Sequence, residues 1–299
     1  MAEQLNVVAL YRHRSLNHKL HYALAVRLRA SGEVDVLLPQ EPEWTPYATA
    51  GPRLGRLFTE ERRHRGREVR QSRLNMNPGQ LAQFAAQVVT APHQTPTLIL
   101  IEAEGWRNKG NPSGWEQLKN DKLATQRDVL DFNHIPDQGL YKRTDEELAN
   151  LLGIIRLRTN DETPQYVPVA APDQFARDLK PLSGFMDRSV DNLWHYYSIG
   201  RASVTQKTDE NVAVRGLYKL EARGEEYGAS TAFRHQQVVE MVPFFVRSDL
   251  QHEPGILALS RVPHYLRASP AWATGNTLRP FPLHLAKCLV EDYLCILEV

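Results

Sequence analysis

Two glutamates, Glu102 and Glu104, follow an apolar run at residues 98–101 and are well placed for chemistry. In α/β proteins, ligands and catalytic groups gather at the carboxyl ends of buried strands. If the strand continues past Ile101, both carboxylates project from one face, because side chains alternate along a strand, and they could bind the same metal ion. In the alternative interpretation the strand ends at Ile101 and both glutamates face water, as charged side chains usually do.

Other acidic residues are weaker candidates for such a site. Glu240 lies in the apolar segment HQQVVEMVPFF, where it is either a further ligand or a glutamate on an edge strand. Asp249 and Glu253 are interpreted as loop acids. The sequence has no phosphate-binding G-x-x-x-x-G-K-[ST], no G-x-G-x-x-G, no G-x-S-x-G and no H-E-x-x-H motif. The eleven histidines form no His/Cys cluster with zinc spacing.

Arginines offer a second chemistry, because the guanidinium group binds phosphate through paired hydrogen bonds. The densest basic segment is residues 53–73, where eight arginines outnumber three glutamates. This segment is either a nucleic-acid-binding surface or a solvated helix whose glutamates pair with its arginines. The whole chain carries 36 basic and 35 acidic residues, so only local patches can indicate a nucleic-acid partner.

The composition indicates a folded protein in a reducing compartment. The chain has 299 residues, of which 42% are hydrophobic, and can bury a substantial core. Cys288 and Cys295 lie seven residues apart in one apolar segment, too far apart on a helix to form a disulfide. The N-terminus lacks a signal peptide and no stretch approaches 18 apolar residues. We therefore expect a soluble cytoplasmic protein without a membrane partner.

Periodicity and turn signals predict the elements that position these residues. The predicted strands lie at residues 5–11, 21–29, 33–38, 98–101, 154–158, 192–199, 203–206, 216–220 and the second half of 235–246. The predicted helices lie at residues 78–89, 144–152, 255–268 and 282–297, with a loop at 42–52. The first three strands, joined by short connections, suggest an antiparallel meander.

This order of elements is typical of an α/β protein with the RNase H-like fold, a mixed five-stranded central sheet flanked by helices, here with a β-rich insertion. The sequence predicts a single domain over residues 1–299. Its first part, residues 1–95, carries the meander strands, the basic segment and the first helix. The central strands follow in 96–160, the insertion in 161–235, and the terminal strand and helices in 236–299.

Several spaced segments share their order with motifs of one protein family. They read A-E-G-W-R at residues 103–107, N-D-K-L at 120–123, I-R-L-R at 155–158, E-T-P-Q at 162–165, N-L-W at 192–194, H-Y-L-R at 264–267 and L-R-P-F-P-L-H-L-A at 278–286. Together they resemble the RNase H-like domain of the prokaryotic PIWI-RE family, relatives of the Argonaute PIWI domain. The chain is either a stand-alone domain or a fragment, since family members normally carry further domains N-terminal to this one.

The resemblance implies a domain that binds a guide and target duplex in prokaryotic defence against plasmids or phages. It also implies two partners, a helicase and a restriction-endonuclease-like protein. Candidate contacts to the nucleic-acid backbone are Arg107, Arg156, Arg158, Arg267 and His284, and binding of this kind requires no cofactor. Whether the guide is RNA or DNA stays open.

Catalysis is the point on which the sequence departs from active relatives. Active RNase H-like nucleases place an aspartate on the first strand, whereas this strand reads NVVALYRHR. Two-metal cleavage needs about three or four carboxylates around Mg²⁺, so we expect an impaired site. The first alternative is an active Mg²⁺-dependent nuclease that uses Glu102, Glu104, Glu240 and His264, with Glu102 and Glu104 as metal ligands. A second alternative is a protein-interaction module that has lost contact with nucleic acid.

Overall fold

A computed structural model gives the tertiary structure of the chain. It describes residues 4–15, 20–39, 41–65, 74–91, 93–106, 115, 118–119, 123–125, 148–159, 183–188, 193–199, 238–267 and 278–298.

The described strands form one mixed sheet. They are β1 (Asn6–Ser15), β2 (Leu20–Leu28), β3 (Val34–Leu37), β4 (Thr45–Pro46), β5 (Thr97–Glu102), β6 (Leu151–Arg158), β7 (Ser183–Asp187), β8 (His195–Ile199) and β9 (Val238–Phe244). Their order across the sheet is β4-β3-β2-β1-β5-β6-β9-β8-β7. The described helices are α1 (Tyr47–Arg65), α2 (Pro78–Thr90), α3 (Ala103–Trp106), α4 (Glu253–Leu266) and α5 (Phe281–Glu298).

The five strands β3, β2, β1, β5 and β6 form the core of the sheet. Strands β1, β2 and β3 pair antiparallel, whereas β5 pairs parallel to both β1 and β6. These pairings confirm the predicted meander, and they place β5 between β1 and β6. The two-residue strand β4 extends one edge of this core, and β9, β8 and β7 extend the other, so the described sheet has nine strands where five were predicted. The predicted mixed α/β class is confirmed.

The central strands form where the sequence is apolar without interruption. Every residue of β5 (TLILIE) is buried, as expected for a parallel strand covered on both faces. The predicted helix at residues 78–89 corresponds to α2, where Asn77 and Gln80 form a reciprocal capping box and Pro78 occupies the first turn. The terminal helices correspond to α4 and α5, and Cys288 on α5 is a free thiol.

Two local predictions are wrong. Residues 42–52 do not remain a loop, because α1 begins at Tyr47 and continues through Pro52. The predicted helix at residues 144–152 fails at its end, since residues 148–150 form a turn and β6 begins at Leu151. Leu151 and Leu152, which were predicted to end the helix, instead begin β6, where Leu151 pairs with Thr97 of β5. Residues 144–147 and the predicted strands at 203–206 and 216–220 lie outside the described residues.

No helix within the described ranges combines the length and the apolar character that crossing a membrane requires.

Candidate functional site

The carboxyl edge of the core sheet brings together a cluster around Glu102. Strands β1, β5 and β6 are parallel, so their carboxyl ends meet at this edge, where α5 also begins. The last pair between β1 and β5 is Leu10 with Ile101, which puts Tyr11 level with Glu102. Thr159 follows the end of β6, and Arg279 precedes α5. We call Tyr11, Glu102, Thr159 and Arg279 the edge cluster.

Glu102 is the centre of the edge cluster and is engaged by its neighbours. Its Oε1 lies 2.6 Å from Nη2 of Arg279 and accepts a hydrogen bond of 3.2 Å from the Thr159 hydroxyl. Its side chain is 6% exposed, so the ion pair with Arg279 is largely shielded from water. Shielding of this kind strengthens the attraction between the two charges.

The structure matches neither interpretation of Glu102 and Glu104 in full. The strand ends at Glu102, and the next four residues form the short helix α3. Glu102 is therefore buried at the sheet edge, whereas Glu104 is exposed on the helix. The turn into α3 breaks the alternation on which the prediction depended.

The first strand contributes a phenol to the edge cluster where a carboxylate was sought. Tyr11 is buried, and its burial followed by the negative charge of Glu102 raises the pKa of its hydroxyl above the ordinary value. Burial tends to lower the pKa of Arg279, but the charge and hydrogen bond of Glu102 outweigh that effect and raise it. Tyr11 is therefore neutral and Arg279 positive at pH 7.

The donor set of the edge cluster does not fit a Mg²⁺ site. Mg²⁺ in proteins is usually held by one or two carboxylates in near-ideal octahedral geometry. The one carboxylate of the cluster is already bound to a guanidinium group, and Tyr11 is a neutral phenol. Among the residues that the structure describes, no three His, Cys, Asp or Glu side chains come together as metal ligands.

Glu240 forms a second buried charge cluster, away from Glu102. It lies on β9 and is 1% exposed, with its Oε1 2.7 Å from Nη2 of Arg156 and 3.2 Å from Nη1 of Arg158. His195 Nδ1 is 3.7 Å from the other carboxylate oxygen. Burial tends to raise the pKa of Glu240, but His195, Arg156 and Arg158 outweigh it and lower that pKa. Glu240 is therefore an ionised partner of two arginines.

This arrangement gives different roles to two of the arginines that were predicted to contact phosphate. Arg156 is fully buried and donates to Glu240 and to the Leu118 carbonyl oxygen, so its guanidinium group acts inside the protein. Arg158 keeps 15% of its side chain exposed and lies at the end of β6. Arg158 can therefore reach a ligand at the sheet edge, whereas Arg156 positions Glu240.

His264 and Arg267 meet at a third buried site, on Ser198 of β8. Arg267 Nη1 donates to the carbonyl oxygen and to Oγ of Ser198, both at 2.6 Å. Ser198 Oγ also lies 2.9 Å from Nδ1 of the His264 imidazole, so the two side chains share a hydrogen bond. Both side chains tie α4 to the sheet, and neither lies in the edge cluster or beside Glu240.

The buried His264 predicts a measurable acid response. Burial, with the positive charges of Arg267 and Arg261, lowers the pKa of His264 to about 4. The unfolded chain binds this proton first, near the ordinary pKa of about 6.5, so the stabilisation is complete above that pH and is lost as the pH falls towards 4.

We expect His264→Gln to lose less stability than the unmodified chain between pH 7 and 5, measured by urea denaturation. His93 and His284, whose pKa values are also lowered, respond equally in both proteins. An identical pH slope in the variant would contradict this role.

The remaining basic candidates within the described residues lie on α1 and α5. Arg107 and the arginines at 67, 70 and 73 lie outside the described residues. Within α1, Arg56 and Arg62 are exposed, and Arg53 pairs with Glu41 at 2.7 Å. His284 lies half-buried in the first turn of α5, where burial and the charges of Lys287 and Arg279 lower its pKa. His284 is therefore neutral at pH 7.

Sequence reasoning gave no functional role to several residues at or near these sites. Arg279 lies in the LRPFPLH segment, which indicated the family resemblance but no partner for Glu102. Arg12 on β1 lies 6.0 Å from the Trp106 ring centre and 3.4 Å from His21 Nδ1. Tyr11 and His195 carried no local signal, because only the pairing of distant strands places them beside Glu102 and Glu240.

Comparison with known proteins finds a family model and similar solved structures. A family model described as the RNaseH domain of pPIWI_RE matches residues 5–294. A solved structure, the X-ray crystal structure of Marinitoga piezophila Argonaute in complex with 5′ OH guide RNA, aligns with a TM-score of 0.36 and 10% sequence identity. That match covers 99% of this chain but 31% of the Argonaute chain. No curated protein matches the sequence.

Proposed function

This chain belongs to the family of RNase H domains of pPIWI_RE, and we propose that it binds a nucleic-acid duplex without cleaving it. The family match confirms the resemblance that the sequence motifs indicated. The single observation that carries the proposal is the Arg279–Glu102 ion pair at the carboxyl end of β5. An arginine at this place binds the carboxylate that a nuclease would need and supplies a cation.

Arginines at the carboxyl edge support the binding half of the proposal. Arg158 at the end of β6 and Arg279 before α5 both lie at this edge and keep 15% and 13% of their side chains exposed. Most contacts in protein–nucleic acid complexes go to phosphate and sugar, and arginine suits phosphate geometry. Carboxylate partners fix Arg158 and Arg279, so these two groups would lose little conformational entropy on binding phosphate.

The fate of the acidic candidates supports the non-catalytic half. Glu102 and Glu240 are buried and each is neutralised by arginine, and Glu104 is exposed on α3. His264 is hydrogen-bonded to Ser198 and does not join either glutamate in a common ligand set. Two-metal cleavage needs carboxylates that converge on the metal ions, and this arrangement separates them.

We place the domain in the setting that the family resemblance implied. The duplex would consist of a guide and a target strand, and the biological role would be prokaryotic defence against plasmids or phages. A helicase and a restriction-endonuclease-like protein would be its partners.

A cleavage assay tests the proposal directly. We expect the chain to retain labelled DNA, RNA and hybrid duplexes in a gel-shift experiment while leaving them uncut in millimolar Mg²⁺ or Mn²⁺. Metal-dependent cutting that disappears in Glu102→Gln would restore the nuclease interpretation. Failure to retain any duplex would remove the binding interpretation and leave the protein-interaction module.

A further inference from the structure

We propose that Arg279 is itself a phosphate-binding residue, a fixed cation at the sheet edge that contacts the backbone of the bound strand. The inference rests on the proposed function and assigns one contact within it. The edge cluster does not fit a magnesium ion. Its positive charge is instead carried by the guanidinium group of Arg279, which pairs with Glu102.

The surroundings of Arg279 hold its guanidinium group in one place. Nη2 is 2.6 Å from Glu102, whose carboxylate is also held by Thr159. The backbone of Arg279 lies directly before Pro280, whose carbonyl oxygen accepts from the His284 amide in the first turn of α5. The guanidinium group is therefore held by Glu102 of the sheet, and the backbone of Arg279 leads directly into the first turn of α5.

The charges around Arg279 leave it positive and turned more towards solvent than its partner. Its side chain is 13% exposed, against 6% for Glu102. Glu102 and the exposed Glu104 are the acidic groups acting on it from β5 and α3, and Tyr11 faces it from β1 as a neutral phenol. The pair with Glu102 is neutral overall, so an approaching phosphate meets no excess negative charge from that pair.

Guanidinium chemistry allows one arginine to serve both partners. The group carries five N–H donors in a rigid fork, so it can hold a carboxylate with one part and a phosphate oxygen with another. Each phosphate neutralised by a cation releases condensed counterions, and the logarithm of affinity then falls with the logarithm of salt by about 0.9 per contact on B-form DNA. The slope of log affinity against log salt therefore shows whether Arg279 contacts a phosphate.

Two variants that both lack the Glu102 carboxylate isolate the contribution of Arg279. Glu102→Gln keeps the cation, whereas Glu102→Gln/Arg279→Gln removes both charges and leaves no charged partner of the pair behind, the arrangement least harmful to folding. Relative to Glu102→Gln, the double variant should bind a DNA duplex roughly tenfold more weakly. Its salt slope should also be shallower by about 0.9.

Controls separate this inference from the proposed function. Lys287→Ala removes a cation within α5, one paired with Glu291, and should leave the slope unchanged. Melting curves establish that each variant is folded at the assay temperature. Equal affinity and slope for the two Glu102 variants, with binding by the unmodified chain, would overturn the role of Arg279 alone. Absence of binding by the unmodified chain would instead overturn the proposed function.

Discussion

Replacing Glu240 by glutamine is expected to lower the free energy of unfolding by about 3–5 kcal/mol, the usual effect of breaking a buried ion pair. Arg156 is fully buried, and its guanidinium group lies 2.7 Å from Glu240. Glutamine keeps the shape of the side chain but removes its charge, so Arg156 would be left buried without a counter-charge from β9. Urea denaturation with linear extrapolation measures this change.

A double variant distinguishes the ion pair from the packing around it. Arg156→Met/Glu240→Gln removes the stranded charge as well, so it should be more stable than Glu240→Gln alone, a coupling that a double-mutant cycle reports. Glu291→Gln on α5 is the matched surface control, since its carboxylate is 44% exposed and pairs with Lys287. The control should cost less than about 1 kcal/mol. A similarly small loss for Glu240→Gln would contradict the structural role of the pair.

Salt should weaken duplex binding by this domain roughly 40- to 150-fold between 50 and 200 mM. That range corresponds to about three or four phosphate contacts, each adding about 0.9 to the slope of log affinity against log salt on B-form DNA. An A-form hybrid or RNA duplex is recognised through its shape and 2′-hydroxyls, so scrambling the base sequence should change little. Fluorescence anisotropy over a salt series gives both affinity and slope.

The structure changes which arginine should be replaced to test this binding. Alanine at Arg156 would damage the fold through Glu240, so Arg158→Gln is the informative variant, with its side chain 15% exposed at the end of β6. Arg29→Gln is the control. Arg29 is 44% exposed and follows β2, which ends beside the start of β1, at the end of the strands opposite the edge cluster. We expect the first change to reduce the slope and the second to leave it intact. Binding that ignores salt would remove the nucleic-acid interpretation.

The sequence by itself determined the class of the fold and most of its elements. Uninterrupted apolar residues indicate β5, alternation indicates β2, and the Asn77–Gln80 capping box marks the start of α2. These signals are local, because backbone geometry and hydrogen bonding act over a few residues. The acid-free first strand was equally visible, and with it the expectation of an impaired site.

Tertiary structure decided what each charged residue does. Glu102 and Arg279 are 177 positions apart in the numbering, and Glu240 is 84 positions from Arg156. Nothing local to either residue specifies such a partner, since strand pairing and the approach of α5 bring them together. A charged side chain is rarely buried unless it is paired or hydrogen-bonded, so the burial of Glu102, Glu240, Arg156 and Arg267 depends on contacts that form only when the sheet and its helices have assembled.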